Sequence, residues 1–173
     1  MDIATEFLEQ SRHYLAVEYP TKIRHCLDAL PPDAVWRRSD EQSNSIGNLL
    51  LHLDGNVRQW IVSSVGGAPD TRYRAAEFAA RQGATVDDLF AALRSTLDQA
   101  DGVLASLPAT QLLTRRTIQG RDVTVFDAVY HVVEHFSLHT GQIILLTKLY
   151  APGRITFYED AGGLAIPRWR EGR

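Results

Sequence analysis

Apolar residues recur every three to four positions in four long stretches of the chain, the spacing that places them on one face of an α-helix. The predicted helices cover about residues 4–30, 44–65, 85–107 and 124–150. Strand-like alternation is nearly absent. Four amphipathic helices with so little strand predict an all-α four-helix bundle, with residues 1–173 forming one domain.

Polar residues mark where the later helices begin. Thr85 and Thr124 are each followed three positions later by an aspartate, Asp88 or Asp127, which is a variant of the capping box. The first predicted helix contains Pro20, which we expect to kink it or divide it, because proline lacks a backbone N–H and clashes with the preceding turn.

The segments outside the helices carry their own signals. The pair Pro31-Pro32 ends the first helix. Residues 68–83 are polar and predict a surface connection, with at most a short helical turn, that crosses from one end of the bundle to the other. Residues 112–123 predict a small hairpin. The aromatic residues of the tail, 151–173, predict packing onto the bundle or onto a second subunit.

Composition narrows the class of protein. The chain is 45% hydrophobic and 23% charged with a net charge of -3, which is ordinary for a globular protein and favours neither nucleic acid nor a membrane as partner. No uncharged apolar stretch reaches the length of a membrane span. The single cysteine, Cys26, excludes an internal disulfide and predicts a cytoplasmic protein with a buried, inert thiol.

His131, His135 and His139 stand four residues apart in YHVVEHFSLHTGQI, so they follow one another along one helix face. Imidazole is the commonest side-chain metal ligand. Roughly 12 Å of helix axis separates His131 from His139, so one ion can reach only neighbouring members. The pair is 131/135 or 135/139, and spacing leaves both open. A histidine-bearing polar surface face is the alternative, because the motif is common by chance.

His52 is the candidate third ligand. It lies between Leu49 and Leu53 in the apolar arc of the second helix, where a lone histidine is more often a hydrogen-bonded core residue. A histidine pair on another helix changes that expectation, because packed helices lie about 8–10 Å apart. Three imidazoles would leave one coordination position open, as in catalytic metal sites. Small or amide residues that could support the imidazoles are Asn48, Gly55, Asn56, Gly141 and Gln142.

Three stretches, SNSIGNLLLHLDGNVRQWI, VGGAPDTR and RTIQGRDVTVFDAVYHVVEHFSLHTGQIILLTKL, resemble the DinB-like superfamily of metalloenzymes, and within it a branch without an assigned function. The resemblance covers nearly the whole chain. It implies a four-helix bundle of the DinB-like type, with a long crossover between the second and third helices and a divalent metal ion, usually zinc or nickel.

The resemblance also implies the ligands. They are His52, His135 and His139, because the HTGQ sequence at 139–142 sets the register of the ligand pair. His131 then lies one turn before the pair, as a pocket residue or a proton shuttle.

Characterised relatives in the superfamily use low-molecular-weight thiols such as mycothiol, bacillithiol or glutathione. The resemblance therefore implies a metal-dependent thiol S-transferase that acts on a small molecule, with the thiol bound to the metal as thiolate and His131 as the candidate catalytic residue. Arg58, Trp60 and Tyr130 are further pocket candidates. A homodimer is expected from the relatives and from the aromatic tail.

Two alternatives remain open. One is a metal-dependent hydrolase that activates water. It lacks an obvious general base, because Glu134 points about 100° away from its neighbour His135 on the helix. The other is a non-catalytic bundle that binds metal for a stress-response or dimerisation role.

Overall fold

The computed structural model describes residues 2–31 and 33–170. The α-helices of these ranges are α1 (Ile3–His13), α2 (Tyr19–Ala29), α3 (Ile46–Val57), α4 (Arg74–Ala79), α5 (Val86–Ser106) and α6 (Val125–Tyr150). Two antiparallel hairpins accompany them, β1 (Arg115–Ile118) with β2 (Arg121–Thr124), and β3 (Tyr158–Asp160) with β4 (Ala165–Pro167). The predicted all-α bundle is confirmed, and so is the small hairpin before the last helix.

Two helices continue through π-helical turns. Tyr14–Glu18 joins α1 to α2, and Arg58–Ser63 extends α3. Pro20 lies in the first turn of α2, directly after the first π-helical turn. Its missing N–H is tolerated there because the hydrogen-bonding register has already shifted. Pro20 therefore coincides with a change of helix type and not with a break. The first predicted helix, which corresponds to α1 and α2 together, ends at Ala29. Pro32, expected to help end it, lies outside the described residues.

The capping boxes predicted at Thr85 and Thr124 are confirmed, and α3 also begins with a capping box. In each, the hydroxyl of the N-cap residue accepts the N–H three positions later, and the side chain at that later position accepts the N-cap N–H. The pairs are Ser45 with Asn48, Thr85 with Asp88, and Thr124 with Asp127.

The apolar faces of the long helices share one core. Fully buried side chains include Ile23, Leu53, Leu93, Phe136 and Ile143. Helix α3 packs against both α5 and α6, and α6 also packs against α2. The contact between α3 and α6 is the one that matters for chemistry, because it joins the two histidine-bearing helices.

The crossover between α3 and α5 differs from the predicted surface connection. Its short helix, α4, was anticipated as a helical turn and packs against α3. Two charged side chains of the crossover are buried, however: only 2% of the Arg72 side chain and 9% of the Glu77 side chain are exposed. The prediction of a solvated segment is therefore wrong for these residues, because they pair with each other against α3.

The C-terminal tail packs onto the first helices, as predicted. Phe157 and Trp169 are buried, and the cations of Lys22 and Arg170 each lie 4.6 Å from the centre of the Trp169 ring. Both cations also pair with the buried Glu18, at 2.9 Å and 3.0 Å. Burial raises the pKa of Glu18, but the two cations outweigh this and leave it below its usual range.

Two further expectations concern membrane crossing and the single cysteine. Within residues 2–31 and 33–170, no helix is both long and apolar enough to cross a membrane. Cys26 is buried, and loss of hydration raises the pKa of its thiol to about 12. The thiol is therefore protonated and unreactive at neutral pH, as the sequence predicted.

Candidate metal centre

The packing of α3 on α6 brings three imidazoles together. His52 comes from the middle of α3, while His135 and His139 lie one turn apart on α6. The Nε2 atom of His135 is 3.1 Å from Nε2 of His52 and 3.1 Å from Nε2 of His139. One nitrogen from each residue lies within 4.8 Å of the other two, so the group could hold a metal ion. Of the two pairs that spacing allowed, the structure brings 135/139 to His52.

His131 lies beside this group and not in it. Its ring is 4.2 Å from the Trp60 ring between centres, and its Nε2 is 3.5 Å from the side-chain nitrogen of Asn56. The distance between the ring centres of His131 and His135 is 5.2 Å. Burial lowers the pKa of His131, so the ring is neutral at pH 7.

The hydrogen bonds of His52 show which of its ring nitrogens acts as a donor. Its Nδ1 lies 2.8 Å from Oε2 of Glu77. Burial would raise the pKa of Glu77, but hydrogen bonds from Arg72 and His52 outweigh it and keep the pKa below its usual value. An ionised carboxylate only accepts, so Nδ1 of His52 donates to it, and in the neutral ring Nε2 is then the nitrogen with the lone pair. An Arg72 guanidinium nitrogen, 3.1 Å from Nδ1, donates to the same Oε2 at 2.9 Å.

His139 is oriented in the same way by a different group. Its Nδ1 lies 2.7 Å from the amide oxygen of Gln142, to which it donates. Its Nε2 therefore also presents a lone pair to the cluster. This is the supporting role that the sequence suggested for Gln142.

His135 lies between the other two histidines of the group. Burial, followed by the neighbouring His139 and His52, lowers its pKa to about 3, so the ring is neutral. A neutral imidazole has one N–H, so at most one of its two short Nε2 contacts is an ordinary hydrogen bond. Its Nδ1 is buried without a hydrogen-bond partner among the described residues. Three imidazole nitrogens that converge in this way form a group that could hold a metal ion.

Sequence reasoning missed Arg72 and Glu77. Arg72 ends the VGGAPDTR stretch, which was noted only as part of the family resemblance. Glu77 is 25 residues from His52 in a polar segment without periodicity, so no local pattern marks it. Gly55, expected to allow close approach of a neighbour, does so: a Cβ there would lie 2.2 Å from Oε1 of Glu77.

Other residues singled out from the sequence lie elsewhere or act differently. Arg58 donates to the Thr96 hydroxyl at 2.6 Å, toward α5 and away from the histidines. Tyr130 is 58% exposed and stacks on Phe126. Leu138, which precedes His139, is 56% exposed. His135 and His139 are themselves half-buried.

Asn48, considered above as support for the imidazoles, instead joins two segments of the chain. It is buried in the capping box of α3, and its amide nitrogen donates to the backbone oxygens of Glu77 (2.7 Å) and Ala80 (2.9 Å). Asn48 thus ties the end of α4 to the start of α3. This contact holds the crossover beside the histidines.

A groove of about 410 Å³ lies away from the histidines, with Arg24, Phe90, Arg94 and Trp169 in its lining. Both arginines already pair with aspartate side chains. The groove therefore offers no unmatched charge to a ligand.

Comparison with known proteins agrees with the helical fold. A family model with the description "Protein of unknown function (DUF1572)" matches residues 2–158. The DinB-like protein YjoA of Bacillus subtilis is 18% identical with a TM-score of 0.63, over 89% of this chain and 97% of that one. A DinB-like protein of Bacillus cereus ATCC 10987 is 18% identical with a TM-score of 0.64, over 84% and 94%. These likenesses show a DinB-like fold. A search of curated proteins finds no match.

Proposed function

We propose that this chain, which belongs to the DUF1572 family, binds a divalent metal ion through His52, His135 and His139 and uses it in a transfer reaction with a low-molecular-weight thiol. The observation that supports the metal is the convergence of three Nε2 atoms, two of them on rings whose Nδ1 atoms are held by Glu77 and Gln142. Because His135 and His139 are only partly buried, small molecules can approach the group.

The proposed chemistry divides between the ion and the protein. A divalent metal with three imidazole ligands would supply Lewis acidity at a fourth position and lower the pKa of a thiol there. We assign to His131 the thiol proton: its ring is neutral, lies one turn from His135 and is held against Trp60. The sulfur then forms a bond to an electrophilic carbon, and the leaving group departs with the electron pair of its bond to that carbon.

The test is an activity screen on protein purified without a histidine tag and loaded with zinc or nickel. A chlorinated aromatic compound or an epoxide is offered with mycothiol, bacillithiol or glutathione, with and without chelator. We expect conjugate formation with at least one thiol, only in the metal-loaded protein. His25→Ala, a histidine remote from the group, should keep the activity. No conjugate with any thiol would refute thiol transfer.

The same screen separates the alternatives. Among the described residues, the carboxylate that contacts the group, Glu77, already accepts from Arg72 and His52, and Glu134 is exposed. Glu77, already engaged in these hydrogen bonds, is therefore a poor general base for hydrolysis. Metal-dependent ester or amide cleavage without thiol would favour a hydrolase, and metal binding without either activity would favour a non-catalytic bundle.

We also propose a homodimer that forms through α6. An outward stripe of this helix consists of apolar side chains that are 56–63% exposed: Tyr130, Leu138, Leu145 and Leu149. Light scattering should give twice the monomer mass, and Leu145→Arg should halve it while the exposed control Leu113→Arg does not. A monomeric unsubstituted protein would refute the dimer.

A cytoplasmic location stays a prediction from the single cysteine.

A further inference from the structure

We propose that Glu77 is the positioning residue of the metal centre: its carboxylate, clamped by Arg72, fixes His52 in the tautomer and orientation that aim Nε2 at the other two histidines. The inference rests on the metal site proposed above. It adds to that site the crossover segment, which supplies no ligand of its own.

The contacts use both carboxylate oxygens. Oε1 of Glu77 accepts from Nε of Arg72 at 2.7 Å, and Oε2 accepts from Arg72 at 2.9 Å and from Nδ1 of His52 at 2.8 Å. Almost none of either charged side chain is exposed. A buried ion pair is a poor source of stability, because its desolvation offsets its attraction. Its place directly behind a candidate ligand therefore points to orientation of that ligand.

The clamp is anchored on both sides of the carboxylate. The backbone oxygen of Glu77 accepts from Asn48, one turn before His52 on α3. The outer end of Arg72 donates at 3.0 Å to the side-chain oxygen of Gln59, further along the same helix. Because α3 carries His52 as well as both anchors, the carboxylate cannot rotate away without breaking contacts to that helix.

Gly55 supplies the space for this clamp. It lies inside α3, where glycine weakens a helix relative to alanine. A Cβ at this position would lie 2.2 Å from Oε1 of Glu77 and 3.0 Å from Nε of Arg72. The unfavourable residue is thus explained by the pair that occupies its side-chain space.

The three histidines differ in what stands behind them. His139 has a neutral amide from Gln142, and the Nδ1 of His135 has no partner among the described residues. His52 alone has an ionised carboxylate, which both fixes a ring and makes its far nitrogen a stronger donor to a metal. The affinity of the centre should therefore depend on Glu77.

The experiment measures zinc affinity by competition with a chromophoric chelator. Glu77→Gln should weaken zinc binding by about 10- to 100-fold. The matched control is Glu134→Gln, which removes the same charge beside the group. Glu134 adjoins His135 in the sequence, yet the residue is exposed. The control should change affinity by less than about threefold, because exposed charges are screened.

A second variant displaces the Glu77 carboxylate while Glu77 and Arg72 themselves stay unsubstituted. Gly55→Ala should expel the carboxylate and weaken zinc binding as much as Glu77→Gln. The double variant should be no weaker than either single variant, because both remove the same contact. With cobalt in place of zinc, both variants should also change the visible absorption of the ion, which a merely structural contact would leave unaltered.

Three results would overturn the inference: Glu77→Gln with the affinity of the unsubstituted protein, an equal loss in Glu134→Gln, or additive losses in the double variant. Each leaves the metal site itself standing. Absence of metal from the unsubstituted protein would overturn both proposals. If Glu77→Gln does not fold, Gly55→Ala decides, and unchanged affinity in that variant refutes the positioning role.

Discussion

Replacement of His135 by alanine tests the candidate centre most directly, because this residue belongs to both short Nε2 contacts. We expect the variant to lose metal binding while the bundle stays folded. Two imidazoles on separate helices remain, His52 and His139, and they present too few ligands for a stable zinc site.

The structure sets the expected size of the effect in each state. Without metal, truncation of a partly buried ring loses apolar contacts, but it also removes an Nδ1 that is buried without a partner. These contributions oppose each other and leave a net change within about 2 kcal/mol, against a typical stability of about 5–15 kcal/mol. With zinc at about 1,000 times its Kd, binding stabilises the unsubstituted protein by about 4 kcal/mol, which raises Tm by roughly 8–16 °C.

The assay is a thermal melt with and without zinc, together with elemental analysis of tag-free protein. The unsubstituted protein and His25→Ala should show the rise in Tm and about one metal ion per chain. His135→Ala should show neither, at a metal-free Tm close to that of the unsubstituted protein. Stoichiometric metal in His135→Ala, or its failure to fold without metal, would refute the reasoning.

Three further predictions concern separate features. His131→Gln should retain metal but lower the kcat of thiol transfer by about 10²- to 10⁴-fold, as expected for loss of a general base. The pKa of Glu18 is depressed in the folded protein, so its stabilisation is present above the usual value of about 4.3 and is lost as the pH falls through the folded value. Once the pH falls below this depressed pKa, the tail should detach and the fluorescence of Trp169 should shift to the red. Thr124→Ala should lower the free energy of unfolding by about 0.5–2 kcal/mol in urea, through loss of the α6 cap.

Each of these has a control and a contrary result. Parallel loss of metal and activity in His131→Gln would make that residue part of the metal site and not a proton acceptor. Trp169→Phe should abolish the acid-induced spectral change, and its persistence would place the change at another tryptophan. Thr124→Ser restores the capping hydroxyl and should restore stability. If it does not, the cap is not the cause.

Much of the fold was predictable because its signals are local. The apolar stripes and the capping pairs Thr85–Asp88 and Thr124–Asp127 are read within one or two turns of helix, and both helix starts occur where they were expected. The effect of Pro20 was less predictable. A proline predicts a disturbance, but it does not predict the π-helical turn that lies directly before Pro20 in the structure.

The crossover marks the limit of such reasoning. Residues 68–83 carry charges and no periodicity, and that composition predicts a solvated surface. Arg72 and Glu77 are buried because each neutralises the other against a glycine of α3. Pairing of this kind depends on two side chains that meet only after the chain has crossed the bundle, so composition cannot reveal it.

The sequence by itself determined the class of the protein and the chemistry available to it. Helical periodicity set the bundle and placed His135 and His139 one turn apart, because both properties follow from the repeat of a single helix. The sequence also named His52 as the third member, but only the tertiary structure brings its Nε2 to 3.1 Å from His135, 83 positions away. The tertiary structure alone also placed Glu77 behind His52. These relations depend on the packing of α3 against α6 and of the crossover against α3, which no repeat along the chain encodes.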